Sequence, residues 1–390
     1  MLSPRAEAAA APLLVRVGLS NGRPVSACTL SSRAPLVLHD AAGREVAQLA
    51  SALEVRCRGE QIQASWPGGG APLESDRLTV SSGQPVEATV AGGPRRAYRG
   101  RIFLWARRGG LVIVNELDLE DYLRGVVPAE IPAAFAPAAV QAQAIAARTY
   151  ALATAGRHAA EGYDLCDGSH CQVYLGAAAE DPRADAAVFA TAGLIATYGG
   201  QPIQAVYHDC CGGRTASNEA TWSGSTPLPY LRPIADCHGE APNCARAPNA
   251  VWTRQVPQAR LAAALSRFGV TAPIAAIEPV AVEENGRPRE FRIRSAAGEV
   301  TLLAGALRTA VNDALGWDTL PSADFVAAPN GDAIVFAGRG SGHGVGLCQW
   351  GADGLAKAGR SAAEIIAHYY PGVTVTPITP ELARRLSSSR

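Results

Sequence analysis

No run of apolar residues in this 390-residue chain reaches the roughly 18 that a membrane-spanning helix needs, so none is expected within it. A surplus of either charge is also missing: 35 Lys and Arg balance 35 Asp and Glu. Without net charge there is no long-range pull toward phosphate backbones or anionic membranes, which removes nucleic acid from the expected partners. Aromatic residues are few at 6% and charged ones modest at 18%, but apolar residues reach 48%, enough to fill sizeable cores and to exclude a disordered chain. Internal repeats and low-complexity tracts are absent. The opening MLSPRAEAAAAPLLVRVGLS lacks the order of a secretory leader, because Glu7 and Pro12 interrupt its Ala-rich run. Residues 1–12 are expected to be a disordered N-terminus.

The nine cysteines are an odd number, so at least one stays unpaired within a monomer. Cys237 and Cys244, seven apart in a loop with Gly and Pro, suit a small disulfide in an oxidising compartment. Buried free thiols are the alternative, and the expected state of Cys28 and Cys57.

Alternation of apolar and polar residues, as in LLVRVGL, LEVRC and RLTVSS, predicts a β-rich region over residues 13–112. From residue 113 the pattern turns mixed and continues to 376, ahead of a tail at 377–390. LEDYLRGVV reads as helical, PAEIP as a proline-bracketed turn, and APAAVQAQAIAARTYALATAGR as a strong helix opened by Pro137, whose missing N–H costs nothing in a first turn. Residues 250–330 alternate helices and strands as a sub-region of their own. The fold class is α+β: a β-rich N-terminal region packed with a mixed α/β region.

Several residues stand out chemically. Glu130, in Val126-Val127-Pro128-Ala129-Glu130-Ile131-Pro132, is the only charge among apolar neighbours, a setting that suits a carboxyl held protonated for acid catalysis. It reads equally as a helix-start carboxylate favoured by the dipole. Gln141 and Arg148 share one face of the following helix while Gln143 points elsewhere. Cys166, His170 and Cys171 offer three zinc-type donors within six residues, with a fourth available from His208, Cys210 or Cys211; a Cys166–Cys171 disulfide explains the spacing without metal. Tyr207 and Tyr230 offer rings for stacking on sugars. GRGSGHGVG puts His343 where the third glycine of a dinucleotide loop belongs, and no ribose-binding acid follows, so a nucleotide cofactor is excluded.

Three stretches together carry a likeness: residues 114–152, 205–234 and 338–373 resemble, in order and spacing, the signature blocks of the sporulation stage II protein D / amidase enhancer LytB family. The resemblance spans about residues 13–375, nearly the whole chain. It implies an extracytoplasmic, wall-associated bacterial protein whose partner is the peptidoglycan glycan strand. Sporulation members are lytic transglycosylases that cleave between MurNAc and GlcNAc on glycan stripped of stem peptides, leaving 1,6-anhydro ends. LytB-type members instead activate a separate cell-wall amidase. The resemblance implies Glu130 as catalytic acid/base and Gln143, Arg148, Tyr207, His343 and Gln349 as substrate contacts, with His343 and Gln349 turned to the same cleft as Glu130. Gln141 departs from the Lys that sporulation members commonly carry there. No cofactor is required for this chemistry; one branch of the family holds structural zinc near the corresponding Cys/His segment. A zinc-dependent amidase does not fit, because His and carboxylate ligands around an open metal position are missing.

Overall fold

The computed structural model describes residues 12–50 and 52–388, so the expected N-terminal tail lies, apart from Pro12, outside the described residues. Packing divides the chain into two units, one comprising residues 1–134, 147–195 and 377–390, the other residues 135–146 and 196–376. The architecture is α+β, and the units are discontinuous where the sequence pattern suggested a linear division at residue 112.

In the first unit, alternation of side chains builds two sheets. The larger has seven strands in the order Leu165–Cys166, Leu14–Gly18, Gly110–Asp118, Arg101–Arg107, Arg77–Ser82, Leu36–His39 and Glu45–Leu49. The smaller has six, and residues such as Leu30, Val55, Ile62, Val80, Ile102 and Leu104 are withdrawn from solvent between them. Gly110–Asp118 is buried along nearly its whole length, as befits an interior strand carrying the continuous apolar run LVIV.

That strand leads into helix α1 (Leu119–Glu130), capped by the Asp118 carboxylate, which accepts the Glu120 N–H at 2.8 Å. Leu119, Tyr122, Leu123, Val126 and Val127 form its buried stripe. The turn expected at Pro128 comes later, because α1 continues through the proline to Glu130. Pro128 forfeits one ladder bond, and Ile131 N–H restores the ladder by donating to the Val127 carbonyl at 3.0 Å.

Helix α2 (Pro137–Ala153) begins at Pro137 as its sequence predicts, and belongs by packing to the second unit up to Ala146 and to the first beyond it. Arg148 lies in the first unit with no solvent exposure. Its guanidinium donates to both oxygens of Glu120 at 2.7 and 2.6 Å, to the Leu194 carbonyl at 3.0 Å and to the Val188 carbonyl at 3.3 Å.

The second unit has a core that includes Trp252, Leu261, Phe291, Leu307, Phe325 and Phe336. Two three-stranded sheets and the helices Gln258–Ala264 and Ala304–Leu315 surround it. Beside it, Tyr207–His208 and Leu347–Cys348 pair in parallel, so two of the signature blocks meet. The helices Gln349–Lys357 and Ala362–Tyr369 follow, the latter closed by a Ser361/Glu364 capping box.

Arg148→Met is expected to destabilise the protein by about 3 kcal/mol, since it strands a partly buried carboxylate and two carbonyls. Arg148→Lys, which cannot reproduce the fork, is expected to recover less than half of that loss. Urea unfolding of the three proteins measures both.

Candidate functional site

Glu130 sits at the C-terminal end of α1, half-buried. That is the end of a helix where an anion gains nothing from the dipole, so the helix-start reading of this residue does not hold. Its Oε1 accepts the backbone N–H of Val173 at 2.7 Å. Gln172, next to Val173, is buried and accepts from the Tyr122 hydroxyl at 3.3 Å while donating to the Ala147 carbonyl at 3.3 Å. The backbone that orients the Glu130 carboxylate is therefore itself tied to α1 through Tyr122 and to α2 through Ala147.

The segment before Gln172 is the Cys/His loop. Leu165–Cys166 forms the edge of the seven-stranded sheet, pairing in parallel with Val17 and Gly18. The Asp167 carboxylate accepts the N–H groups of Ser20 at 3.1 Å and Asn21 at 2.6 Å. Within this frame His158, Cys166, His170 and Cys171 turn their donor atoms together, all within 4.8 Å of one another. Cys171 Sγ lies 3.4 Å from His158 Nε2 and 3.6 Å from His170 Nδ1, and Cys166 Sγ lies 3.8 Å from His170 Nδ1. These are edge lengths of a tetrahedron of N and S donors, about 3.3–3.8 Å around a zinc ion. The hydrogen bond between the two cysteines lowers the Cys166 thiol and raises that of Cys171. The donor set fits structural zinc. The fourth donor is His158; His208, Cys210 and Cys211, expected as candidates, take other contacts within the second unit.

The second unit holds most of the other expected residues. Gln143 and Gln349, both buried, meet through Gln349 Nε2, which donates to Gln143 Oε1 at 3.3 Å, while Gln143 Nε2 has no protein partner. Tyr207 is half-buried in its short strand. His343 is half-buried between Trp222 and His208, with ring centroids 5.2 and 5.4 Å away. Its Nδ1 accepts the Val345 N–H at 3.1 Å, which places the proton of the neutral ring on Nε2. His208 has the opposite tautomer: Nδ1 donates to the Val345 carbonyl at 3.1 Å, and the buried Nε2 has no protein partner.

Some residues take other parts. Arg148, expected at the sugar, is committed to internal bonds. Tyr230 is buried against Tyr198 at 5.5 Å and its hydroxyl accepts the Gln204 N–H, so its ring is not open for stacking. Cys237 is exposed and donates to the Gly213 carbonyl, whereas Cys244 is buried with its Sγ 3.6 Å from that of Cys211, so the expected Cys237–Cys244 pairing is not the arrangement found. Cys28 is a buried thiol, pushed up to about 12 by burial, and Cys57 is a half-buried one.

A stage II sporulation protein family model matches residues 107–198, the stretch holding Glu130, Arg148 and the Cys/His loop. The chain is 30% identical over 293 residues to a stage II sporulation protein D of Bacillus amyloliquefaciens, covering 70% of this chain and 78% of that one. It belongs to the stage II sporulation protein D family. It is also 29% identical over 323 residues to the Bacillus subtilis stage II sporulation protein D, covering 79% of this chain and 87% of that one. A Bacillus subtilis amidase enhancer is 27% identical over 297 residues, covering 65% of this chain and 40% of that one.

In this family member the donor missed by sequence reasoning is His158, eight residues before Cys166 and beyond the end of α2. The spacing H-x7-C-x3-H-C was the available signal.

The two histidines also set a pH dependence. Burial, helped by the nearby Arg308 charge, pushes His343 down to about 4, and burial with the His343 charge pushes His208 well below its ordinary range. The unfolded chain takes up the His343 proton near 6.5 and the folded one only near 4, so stability falls as pH drops from about 6.5 to about 4. Carboxylates such as Glu364, held at about 2, add their loss only below about 4.5. Urea midpoints measured from pH 7 to pH 4 are expected to decline, and His343→Gln is expected to flatten the upper part of that decline.

Proposed function

We propose that this protein is a peptidoglycan lytic transglycosylase acting outside the cytoplasmic membrane on glycan stripped of stem peptides, with Glu130 as its single acid/base. The observation that supports this most is the fixed carboxylate: a half-buried Glu at a helix C-terminus, with Oε1 held by the Val173 N–H.

In the first step Glu130 gives its proton to the glycosidic oxygen as the bond to C1 of MurNAc breaks, releasing the GlcNAc 4-hydroxyl. The 6-hydroxyl of the same MurNAc then closes on C1, and its proton passes to the Glu130 carboxylate. The acid is regenerated, the product is a 1,6-anhydro end, and no water is consumed. One carboxylate suffices because the nucleophile is intramolecular, unlike hydrolysis, where a second carboxylate activates water or attacks carbon.

Zinc at His158, Cys166, His170 and Cys171 would have all four positions filled by protein, and so supply a crosslink and not a Lewis acid. The last of its donors, Cys171, lies one residue before Gln172 and two before Val173, so the loop it would brace bears directly on the carboxylate's orientation.

The second reading is a non-catalytic glycan-binding activator of a cell-wall amidase. The likeness to the Bacillus subtilis amidase enhancer favours it, as does Gln141 in place of a cation.

The purified protein, incubated with amidase-stripped peptidoglycan, is expected to release anhydro-ended disaccharides detectable by mass spectrometry. Glu130→Gln, which keeps the shape and removes the proton, is expected to lower that release by at least about 100-fold. Absence of product from the unaltered protein, beside an active control enzyme, rejects the transglycosylase and directs the next measurement to amidase stimulation.

A further inference from the structure

A second group of metal-type donors lies in the second unit, built from residues far apart in sequence. Cys211, Asp236, Cys244 and Cys348 are all buried, and their donor atoms lie within 4.8 Å of one another. Cys211 Sγ is 3.6 Å from Cys244 Sγ and 3.0 Å from Asp236 Oδ2. Two thiolates sharing a tetrahedral zinc at about 2.3 Å stand about 3.8 Å apart. A disulfide brings them to about 2.05 Å.

Backbone N–H groups point at two of the sulfurs. Cys348 Sγ receives two backbone N–H groups, from Cys211 and Gly351, each at 3.2 Å, and Cys211 Sγ receives a third, from Gly213 at 3.3 Å. Cys348 is also the N-cap of the helix Gln349–Lys357, where the dipole favours an anion. A neutral thiol is a weak acceptor and gains little from two such donors; a thiolate gains much.

Asp236 completes the set. It has no solvent exposure, and its Oδ1 is oriented by Asn243 Nδ2 at 2.7 Å and His368 Nε2 at 3.2 Å. Its Oδ2 accepts the Tyr369 hydroxyl at 3.0 Å and faces the sulfurs. Among the described residues its ion-pair partner is the His368 imidazole at 3.2 Å, charged only when protonated, and no Lys or Arg pairs with it. A carboxylate and three sulfurs gathered in a buried space call for a cation.

We propose that Cys211, Asp236, Cys244 and Cys348 form a closed structural site for zinc, separate in its donors from the His158 set and independent of the transglycosylase reading. Such a site would join three segments: the Cys-Cys-Gly-Gly turn, the loop from Asp236 to Cys244, and the start of the helix at Gln349. Gly213, at φ 97° and with Pro242 at 3.1 Å and Cys237 at 3.4 Å from where a β-carbon would stand, is the position that lets the first segment turn there.

The test is zinc content by inductively coupled plasma mass spectrometry on full-length protein prepared with zinc and reductant. His158→Ala/His170→Ala removes the other donor set, and this variant is expected to keep about one zinc per chain. Adding Cys348→Ser is expected to bring it to zero. Cobalt substitution of the unaltered protein guards against a variant that does not fold: the site predicts a thiolate-to-cobalt absorption band that persists when Cys348 is present and the histidine set is removed, and a total of about two ions per chain. No metal in the folded histidine variant, or a single ion per chain in the unaltered protein that is lost with the two histidines, overturns the proposal. So does a Cys211–Cys244 disulfide recovered from protein digested without reductant.

Discussion

The guanidinium of Arg148 has no exposure to solvent, and the first unit's helical layer is arranged around it. One fork holds the Glu120 carboxylate in the first turn of α1; the remaining N–H groups reach the carbonyls of Val188 and Leu194, at the end of the helix Pro182–Ala190 and the start of the strand after it. The planar fork fixes the N-terminal end of α1 in direction as well as in place. A rigid helix carries that constraint to its other end, where Glu130 meets the Val173 N–H. The candidate acid is thus positioned from two directions, by a buried ion pair at one end of α1 and by a braced loop beside the other.

The strands between Leu14 and Asp118 were readable from period-two alternation, and Pro137 marked the start of α2. Less legible was the end of α1, because a proline inside a helix looks like a stop until its single lost bond is weighed against the rest of the ladder. Glu130 stood out for a local reason, a lone charge among apolar neighbours. His158 did not, because only the turn after α2 folds it back onto Cys171. Arg148 illustrates the limit most clearly: an Arg on an Ala-rich helix gives no sign in sequence of whether it faces ligand or core, since that depends on where Glu120 and two carbonyls fall. The Cys211, Asp236, Cys244 and Cys348 group lay beyond any local pattern, its members being brought together by three separate segments.

Cysteine has different roles in the two units. Cys28 is a packed apolar residue in a sheet, pushed up by burial. In the Cys/His loop the sulfurs are accompanied by imidazoles and stand beside the candidate acid. In the second unit they gather around a buried carboxylate and receive backbone N–H groups. The same side chain is packed among apolar residues in one place, beside imidazoles in another and beside a carboxylate in a third, and only its neighbours distinguish the cases.

The parallel pairing of Tyr207–His208 with Leu347–Cys348 has a bearing on how the chain is made. These partners are about 140 residues apart, and the Ile378 N–H closes on the Gly193 carbonyl across a longer span. On a ribosome working from the N-terminus, the Cys-Cys-Gly-Gly turn meets its parallel partner strand only after Cys348 has been made, and the second pairing waits for Ile378. Both close long loops, a contact pattern that slows folding relative to nearest-neighbour hairpins.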